Sequence, residues 1–551
     1  MVIYEIKDLS FTYPGEEHAA VENINVKINS GDFVLLCGCS GSGKSTLISQ
    51  MKKEILPKGK KTGSVCFYGA DIEKVKDFES VSKIGYCAQN PELQQICETV
   101  EGELQFVLEN LGFETDKINI KLAETVSFFG IENLLHKKIS ELSGGERQII
   151  NIAAALVTEP QVLLLDEPFS QLDTFSSERL AFLLKKLNDE LGITVIAAEH
   201  NFEKILEYCN AVIYLNDKQA HEFSLKEFIK SGCLKEFSLI PYEIYNSLLK
   251  QQNEKIPVSV SECKKILSNF DVLFNNPNKC NESEENICDL KKVFFKYKKN
   301  SPDVLSDVNL SVNRGEVLSV IGCNGSGKTT LISLINGVYK PYSGKIRLKE
   351  SIKTAVMPQN PTFLFSFDTV VQVLNNCNRT LGYKDLFKEM NNMHPETSVK
   401  PNEEVKAIAQ KLKIVDALYK NPYDLSVGQQ QITAFAYILL KRPDLVILDE
   451  PTKGIDKLRK DMLIEFISEM KKDGKTVIIV THDMDFAAEV SDRCALLFDG
   501  KIVTEEKTAD FLKSSRNYTS TVNQIFSDIN KENRPVSLKE VKRCSAKQKQ
   551  I

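Results

Sequence analysis

The chain has 551 residues, of which 42% are hydrophobic and 26% charged, and its formal net charge is −5. This is the composition of an ordinary globular protein, and the slight negative charge gives no reason to expect nucleic acid as the main partner. No apolar run approaches the roughly 18 residues that cross a bilayer, and the N-terminus lacks the pattern of a signal peptide. The 14 cysteines form no C-x-x-C pair, so we expect reduced thiols rather than zinc sites or a disulfide framework.

The first motif in chain order is a glycine-rich loop that follows an apolar strand. Residues 38–45 read G-C-S-G-S-G-K-S, and we call them cradle one. Glycines let backbone N–H groups approach phosphate oxygens, and the helix that follows adds partial positive charge. Lys44 is expected to reach the β- and γ-phosphates, and the Ser45 hydroxyl to hold Mg²⁺. The predicted nucleotide-binding residues are Gly38, Cys39, Ser40, Gly41, Ser42, Gly43, Lys44, Ser45 and Thr46.

The same loop recurs in the second half of the chain. Residues 322–329, here called cradle two, read G-C-N-G-S-G-K-T after an apolar strand at 317–321. Tyr13 and Tyr297 are separated by the same number of residues as Lys44 and Lys328, so the repeat indicates a duplicated domain. We call the halves copy one and copy two. The predicted nucleotide-binding residues of copy two, with Thr329 also holding Mg²⁺, are Gly322, Cys323, Asn324, Gly325, Ser326, Gly327, Lys328, Thr329 and Thr330.

An apolar strand that ends in two acids follows each cradle. Residues 162–165 lead into Asp166 and Glu167, and residues 445–448 lead into Asp449 and Glu450. Four apolar residues in a row suit a buried parallel strand. The first carboxylate can hold Mg²⁺, and the second can act as a general base toward the attacking water. Because the pair recurs in both copies, we interpret it as functional and not as a strand that ends in solvated acids.

With these motifs the chain resembles the ATP-binding cassette (ABC) ATPases over nearly its whole length. The family's signature loop appears as L-S-G-G-E at 142–146 and as L-S-V-G-Q at 425–429. The resemblance implies an α/β fold of two tandem P-loop NTPase domains, each with a mixed sheet, flanking helices and a helical subdomain, at about 92–155 and 361–437. It also implies ATP and Mg²⁺ as cofactors.

The resemblance extends the expected sites residue by residue. The expected catalytic residues are Glu167, Glu450, the switch histidines His200 and His482, and the Q-loop glutamines Gln89 and Gln359. The expected metal ligands are Ser45, Gln89, Asp166, Thr329, Gln359 and Asp449. Further nucleotide contacts are expected from the adenine-stacking Tyr13 and Tyr297 and from the signature residues Ser143, Gly144, Gly145, Ser426 and Gly428. In this family each ATP lies between the cradle of one domain and the signature loop of the other.

Further features resemble the ATPases of energy-coupling factor (ECF) importers. Both Q-loops read Q-N-P, at 89–91 and 359–361, and A-E-H-N at 198–201 closes the first core. A P-V-S…E tail recurs at 257–262 and 535–540, which suggests a C-terminal extension in each half. This resemblance implies a peripheral protein at the cytoplasmic face of the cell membrane. Its partners would be a transmembrane coupling subunit and a substrate-binding membrane subunit, with no nucleic acid and no direct membrane insertion.

Two alternatives stay open for the function. One is the twin ATPase of a sugar importer, against which the Q-N-P loops and the doubled tails count. The other is a ribosome-binding twin-cassette translation factor, whose long charged helical linker this chain lacks. A polar, turn-rich run near 275–285 marks the boundary between the copies. The expected domains are residues 1–275 and 284–551.

Two differences between the copies predict unequal ATP sites. The second signature loop has Val427 where the family has glycine, and a β-branched residue crowds and stiffens a turn. Glu199 precedes the first histidine, whereas Thr481 precedes the second and is closer to the family pattern. We therefore expect the site that pairs cradle one with the Val427 loop to be the slower one, unless Val427 points away from the nucleotide.

Overall fold

The computed structural model describes residues 1–170, 172–237, 239–250, 255–273, 285–350, 352–377, 399–529 and 534–548. The chain separates into two compact units, one built from Met1–Phe270 and the other from Asp271–Lys547. The predicted boundary run falls almost entirely on residues 274–284, which lie outside the described residues. In the described ranges, no helix combines the length and the hydropathy that crossing a membrane requires.

The first unit contains an antiparallel sheet and a mainly parallel one. The antiparallel sheet has, in spatial order, the strands Val21–Asn29, Val2–Thr12, Lys60–Phe67 and Ala70–Asp71. The second sheet has the order Gln219–Ser224, Ala211–Asn216, Phe33–Cys37, Thr194–Glu199, Val162–Asp166 and Ile84–Cys87. Only its first pair of strands is antiparallel.

The central strands of the parallel sheet are buried along their whole length because both faces are covered. Side chains alternate between the faces. Phe33 and Leu35 pack with the helices, whereas Val34 and Leu36 pack against the antiparallel sheet. Continuous apolar runs are therefore what these strands require, and their carboxyl ends meet at one edge of the sheet.

Helices cover the parallel sheet of the first unit. The predicted helical subdomain at 92–155 contains Val100–Asn110, Thr115–Phe129 and Gly144–Leu156. Gly130 ends the second of these helices at φ 61°, a left-handed cap that glycine adopts without strain. The remaining α-helices of this unit are Lys44–Ser49, Asp77–Lys83, Thr174–Leu191, Leu225–Ser231, Ile240–Ile244 and Val260–Leu267.

The second unit repeats this architecture. Its antiparallel sheet has the order Leu305–Asn313, Asn286–Phe295 and Ser343–Leu348. Its six-stranded sheet has the order Lys501–Lys507, Arg493–Phe498, Val317–Ile321, Thr476–Thr481, Leu445–Asp449 and Thr354–Met357, which is the strand order of the first unit. Its described α-helices are Lys328–Ile335, Val370–Asn375, Glu403–Lys411, Val427–Leu440, Lys457–Lys472, Met484–Val490, Thr508–Ser514, Thr521–Phe526 and Leu538–Val541. The duplicated α/β fold predicted from the sequence is confirmed.

Each core is followed by a small extension, and the repeated P-V-S…E sequence starts a helix in both. In copy one the Glu262 carboxylate accepts a hydrogen bond from the Val258 amide at 3.1 Å. In copy two Glu540 accepts one from the Val536 amide at 2.7 Å. A serine hydroxyl accepts the amide of each glutamate in return, so the motif is a reciprocal helix cap. The short strands Phe270–Leu273 and Ser545–Gln548 follow these two helices in the chain.

Candidate nucleotide-binding sites

Each cradle connects the central strand of its sheet to a helix. Cradle one leaves Phe33–Cys37 and enters Lys44–Ser49, and its Gly41 and Gly43 have φ of 84° and 99°. A Cβ placed on Gly43 would lie 2.6 Å from a methyl carbon of Val21. Both the left-handed backbone and the close approach therefore require glycine. Copy two has the same conformation, with φ of 100° at Gly327.

A buried lysine fills each cradle. Lys44 Nζ donates hydrogen bonds to the carbonyls of Gly38 at 2.9 Å and Cys39 at 3.1 Å. Lys328 Nζ makes the equivalent bonds to Gly322 and Cys323, each at 2.8 Å. The ammonium groups are thus held inside the loops, where phosphate oxygens would be their natural partners.

The donor sets fit a magnesium nucleotide. The Ser45 hydroxyl donates to Asp166 Oδ1 at 3.0 Å, and the Thr329 hydroxyl to Asp449 Oδ2 at 3.0 Å. Mg²⁺ prefers oxygen ligands and is usually held by one or two carboxylates together with substrate phosphates. In addition, the hydroxyls of Ser42 and Ser326 inside the cradles are buried without a hydrogen-bond partner, and phosphate oxygens would satisfy them.

Burial raises the pKa of the two aspartates that are expected to hold Mg²⁺. It raises the pKa of Asp166 to about 6 and that of Asp449 to about 6, and the adjacent Glu167 or Glu450 adds to the effect. A bound divalent cation would act in the opposite direction because it favours the ionised carboxylate.

In copy one the predicted catalytic side chains converge on Glu167. Gln89 Nε2 donates to Glu167 Oε2 at 2.6 Å, and His200 Nδ1 lies at hydrogen-bond distance, 3.1 Å, from Oε1. Burial opposes ionisation, yet His200 and Lys44 lower the pKa of Glu167. In turn, against the effect of burial, Glu167 raises the pKa of His200. Glu167 is therefore a carboxylate held by two neighbours at the carboxyl edge of the sheet.

Copy two brings the histidine and the glutamate together, but not the glutamine. His482 Nδ1 lies 2.9 Å from Glu450 Oε2, within the distance of an ion pair. Although burial opposes it, the Glu450 charge raises the pKa of His482. Within the described part of copy two, no hydrogen bond joins Gln359 to Glu450. The two copies thus share residue identity but differ in how the glutamate is held.

The predicted adenine-stacking tyrosines lie beside their cradles. Tyr13 Oη is 3.1 Å from the Thr46 hydroxyl, and Tyr297 Oη is 2.8 Å from the Thr330 hydroxyl. Both rings are partly exposed to solvent, as stacking on a flat ligand requires. Copy two adds Tyr339, whose ring meets that of Tyr297 edge-on at 5.6 Å. The sequence did not single out Tyr339, because it follows the cradle helix without a recurring motif.

Both signature loops start a helix with the same cap. Ser143 and Glu146 form a capping box at Gly144–Leu156, and Ser426 and Gln429 form one at Val427–Leu440. Val427 occupies the position of Gly144 and is 38% exposed. Gly145 and Gly428 follow in the first turn of their helices. Valine is therefore accommodated at the helix start, and its close contact is instead with Gly454, where an added Cβ would lie 2.8 Å from a Val427 methyl carbon.

Comparison with known proteins agrees with this geometry. The sequence model of the ABC transporter family matches residues 21–170 and 305–453. A protein of Bacillus thuringiensis subsp. konkukian (strain 97-27) named "Putative ABC transporter ATP-binding protein" is 35% identical over 95% of this chain and 95% of its own length. One of the same name from Methanosarcina acetivorans is 31% identical over 92% of this chain and 86% of its own length.

Solved structures give the fold. The archaeal ribosome recycling factor aABCE1, in its complex with the ribosomal stalk protein aP1, matches with a TM-score of 0.58 and 21% identity over 96% of this chain and 95% of its own. A structure named RNase-L Inhibitor matches with a TM-score of 0.57 and 20% identity over 96% of both chains. Since the family matches both copies and relatives above 30% identity span almost the whole chain, this chain belongs to the ABC transporter family, with two ABC ATPase domains in tandem.

Proposed function

We propose that the protein hydrolyses ATP with Mg²⁺ at two sites and drives, as the ATPase of an ECF-type importer, the uptake of a vitamin, a vitamin precursor or a metal ion. It would act at the cytoplasmic face of the cell membrane, bound to a transmembrane coupling subunit that works with a separate substrate-binding membrane subunit. ABC ATPase domains indicate the hydrolysis. The observation that carries the transport part is the exposure of large apolar side chains beside each Q-loop.

The residues of each site divide the work of hydrolysis. Lys44 would pair with phosphate oxygens and stabilise the charge that develops as the terminal phosphate leaves. Mg²⁺ bound by Ser45 and Asp166 would neutralise phosphate charge. Glu167 would orient and deprotonate the attacking water, and His200 would hold that carboxylate in place. The equivalent residues of copy two are Lys328, Thr329, Asp449, Glu450 and His482.

Large apolar side chains are exposed beside both Q-loops, among polar residues. Leu93 is 82% exposed and Ile96 is 69% exposed a few residues after Gln89, and Phe363 is 77% exposed after Gln359. Exposed large apolar side chains at corresponding places in two copies support a docking surface for another protein. Because Gln89 also donates to Glu167, a partner that moves this loop would change the contacts of the general base. Docking and hydrolysis would thus be coupled through a single side chain.

The test is to express the chain alone and together with the membrane proteins encoded beside its gene. We expect it to fractionate with membranes only in their presence. Replacing Leu93 and Phe363 by Asp should abolish membrane association and ATP-driven uptake in vesicles while leaving basal ATPase activity intact. Leu191→Asp with Phe498→Asp is the matched control, since these side chains are 60% and 56% exposed and lie away from the Q-loops. Uptake that survives the Q-loop substitutions would refute the docking surface.

The ribosome-binding alternative is supported by one observation, the likeness to an archaeal ribosome recycling factor over nearly the whole chain. At 21% identity this likeness concerns the fold alone. The fractionation experiment decides between the two functions, because copurification with ribosomes and not with membranes would favour the alternative. If the chain joins a membrane complex that imports a sugar, the twin sugar-importer ATPase would replace the ECF assignment.

A further inference from the structure

Glu199 is a buried carboxyl at the edge of the first ATP site, and copy two has no counterpart. It is 2% exposed and ends the strand Thr194–Glu199, whose other residues are also buried. A carboxyl is rarely buried unless it is hydrogen-bonded or paired. The aligned residue of copy two is Thr481, a buried neutral side chain.

The carboxyl holds a backbone amide across the site. Glu199 Oε1 accepts a hydrogen bond from the Phe169 amide at 3.1 Å. Phe169 lies between Glu167 and Asp173, and the Asp173 side chain caps the helix Thr174–Leu191. The contact therefore joins the end of the strand that precedes His200 to the segment that follows Glu167. In copy two the Thr481 hydroxyl instead accepts from the Asp483 amide at 3.0 Å, so this tie is specific to copy one.

The charged groups around Glu199 come from three elements. Glu167 follows the neighbouring strand, His200 is the next residue, and Lys44 begins the cradle helix, while Cys37 lies opposite in the adjacent strand. Burial and Glu167 raise the pKa of Glu199 to about 8, and His200 and Lys44 counteract part of this effect. Near neutral pH the carboxyl is thus mostly protonated, so it can hold the Phe169 amide without placing a second full negative charge beside Glu167.

We propose that Glu199 is a positioning residue of the first ATP site. By holding the Phe169 amide, it fixes the backbone two residues after Glu167 relative to the Glu167–His200 pair. Glutamine keeps the acceptor oxygen at this position, whereas alanine removes it and leaves the part-buried Phe169 amide without its acceptor. The inference rests on the proposed ATPase roles of Glu167 and His200.

The experiment compares Glu199→Gln, Glu199→Ala and Glu199→Thr, each combined with Glu450→Gln so that hydrolysis reports on copy one. Single-turnover hydrolysis of bound ATP and ATP affinity are measured separately, with thermal melting to establish that each variant is folded. We expect Glu199→Ala to lower the rate about tenfold, because misplacement of a catalytic segment is costly, with ATP affinity changed less than about twofold. Glu199→Gln should restore the rate to within about twofold of its parent. Glu199→Thr supplies a folded comparison if Ala does not fold, and it should be slow as well.

Each other outcome counts against the proposal. If Glu199→Ala and Glu199→Thr hydrolyse ATP as fast as the Glu450→Gln parent, the Glu199–Phe169 hydrogen bond has no positioning role. If Glu199→Gln is as slow as Glu199→Ala, the hydrogen bond to Phe169 does not determine the rate. Amide hydrogen exchange of the peptide that contains Phe169 should be faster in Glu199→Ala than in the parent and unchanged in Glu199→Gln. Unchanged exchange in Glu199→Ala would also overturn the proposal. If the wild-type chain and the Glu450→Gln parent both lack ATPase activity, the proposed function itself is refuted.

Discussion

At the residue scale, both general-base candidates have a backbone that is unusual for their type. Glu167 has φ of 47° and Glu450 has φ of 49°, the left-handed region that residues other than glycine rarely adopt. Each amide donates to the neighbouring strand, to the carbonyl of Ala198 or of Val480 at 2.9 Å. A strained conformation retained in both copies indicates a functional constraint. That constraint places the side chain beside the histidine.

Removing the lysine from either cradle should slow hydrolysis. Lys44→Ala or Lys328→Ala deletes a directed cation, which is worth about 2–4 kcal/mol of transition-state stabilisation, or roughly 30- to 1,000-fold in rate. Steady-state ATPase assays with ATP-binding titrations measure the loss. Lys58→Ala, which removes an exposed lysine of the same unit, is the control and should leave the rate unchanged. Full activity in the double variant Lys44→Ala, Lys328→Ala would contradict the site assignment.

Glu199 should make stability depend on pH in a defined direction. The pKa of its carboxyl is raised from 4.5 to about 8 by burial and by Glu167, so the folded chain binds this proton more tightly than the unfolded chain. The contribution to stability is therefore present at low pH and falls as the pH rises from about 4.5 to about 8. Glutamine does not titrate, so the melting temperature of Glu199→Gln relative to wild type should be higher at pH 8 than at pH 5. A difference that stays flat or falls across this range would contradict the prediction.

At the element scale, the sequence predicted what local patterns determine. Apolar runs that lead into Gly38 and Asp166 predicted the strands and the sheet edge at which the site lies, because burial on both faces of a sheet requires such runs. Contacts between distant segments have no such signal. The Glu199–Phe169 hydrogen bond and the 3.1 Å contact of Cys323 Sγ with Tyr518 Oη depend on the folded backbone. For the same reason the sequence could not show that Gln89 donates to the glutamate of its copy whereas Gln359 does not in the described part of copy two, since both lie in identical Q-N-P sequences.

Each extension packs on its core through apolar side chains, and copy two also has a polar attachment close to the histidine of its site. In copy one Phe202 packs on Phe237 with ring centroids 4.6 Å apart. In copy two Asp485, on the helix after His482, accepts hydrogen bonds from the amide and the hydroxyl of Thr521 at 2.7 Å each. The second attachment is polar and directly follows the switch histidine. Substitution of Asp485 should therefore destabilise the extension of copy two.

Asp485→Ala should loosen the extension of copy two. It leaves the amide and hydroxyl of Thr521 without their acceptor, which costs about 1–3 kcal/mol in free energy of unfolding. Denaturant unfolding measures the loss, and limited proteolysis should show earlier cleavage within residues 508–548. Asp510→Ala, at an exposed acid of the same extension, is the control. Equal stability of the Asp485 and Asp510 variants would show that the hydrogen bonds of Asp485 do not fix the extension.

At the scale of the whole molecule, duplication has kept the architecture and changed details of each copy. The strand order and the lysine and aspartate contacts are the same in both copies. The glutamates differ, because both carboxylate oxygens of Glu167 have partners, Gln89 and His200. Glu450 Oε2 is buried 2.9 Å from His482 Nδ1, and no hydrogen bond joins Glu450 to Gln359 in the described part of copy two. A carboxylate that no glutamine holds is freer to orient toward the attacking water, which supports unequal activity of the two sites.

We therefore expect Glu450→Gln to reduce steady-state ATPase activity more than Glu167→Gln, by about tenfold or more, because it removes the general base from the faster site. The Val427 loop adds to the asymmetry only if it faces nucleotide in the assembled site. Val427→Gly tests this contribution separately and should speed hydrolysis at the cradle-one site. ATP affinity should stay similar in both Gln variants, since the amide keeps the shape of the side chain. Equal losses from the two Gln variants would show the sites to be equivalent. A larger loss from Glu167→Gln would mean that the two hydrogen bonds on Glu167 prepare it for catalysis and that copy one is the faster site.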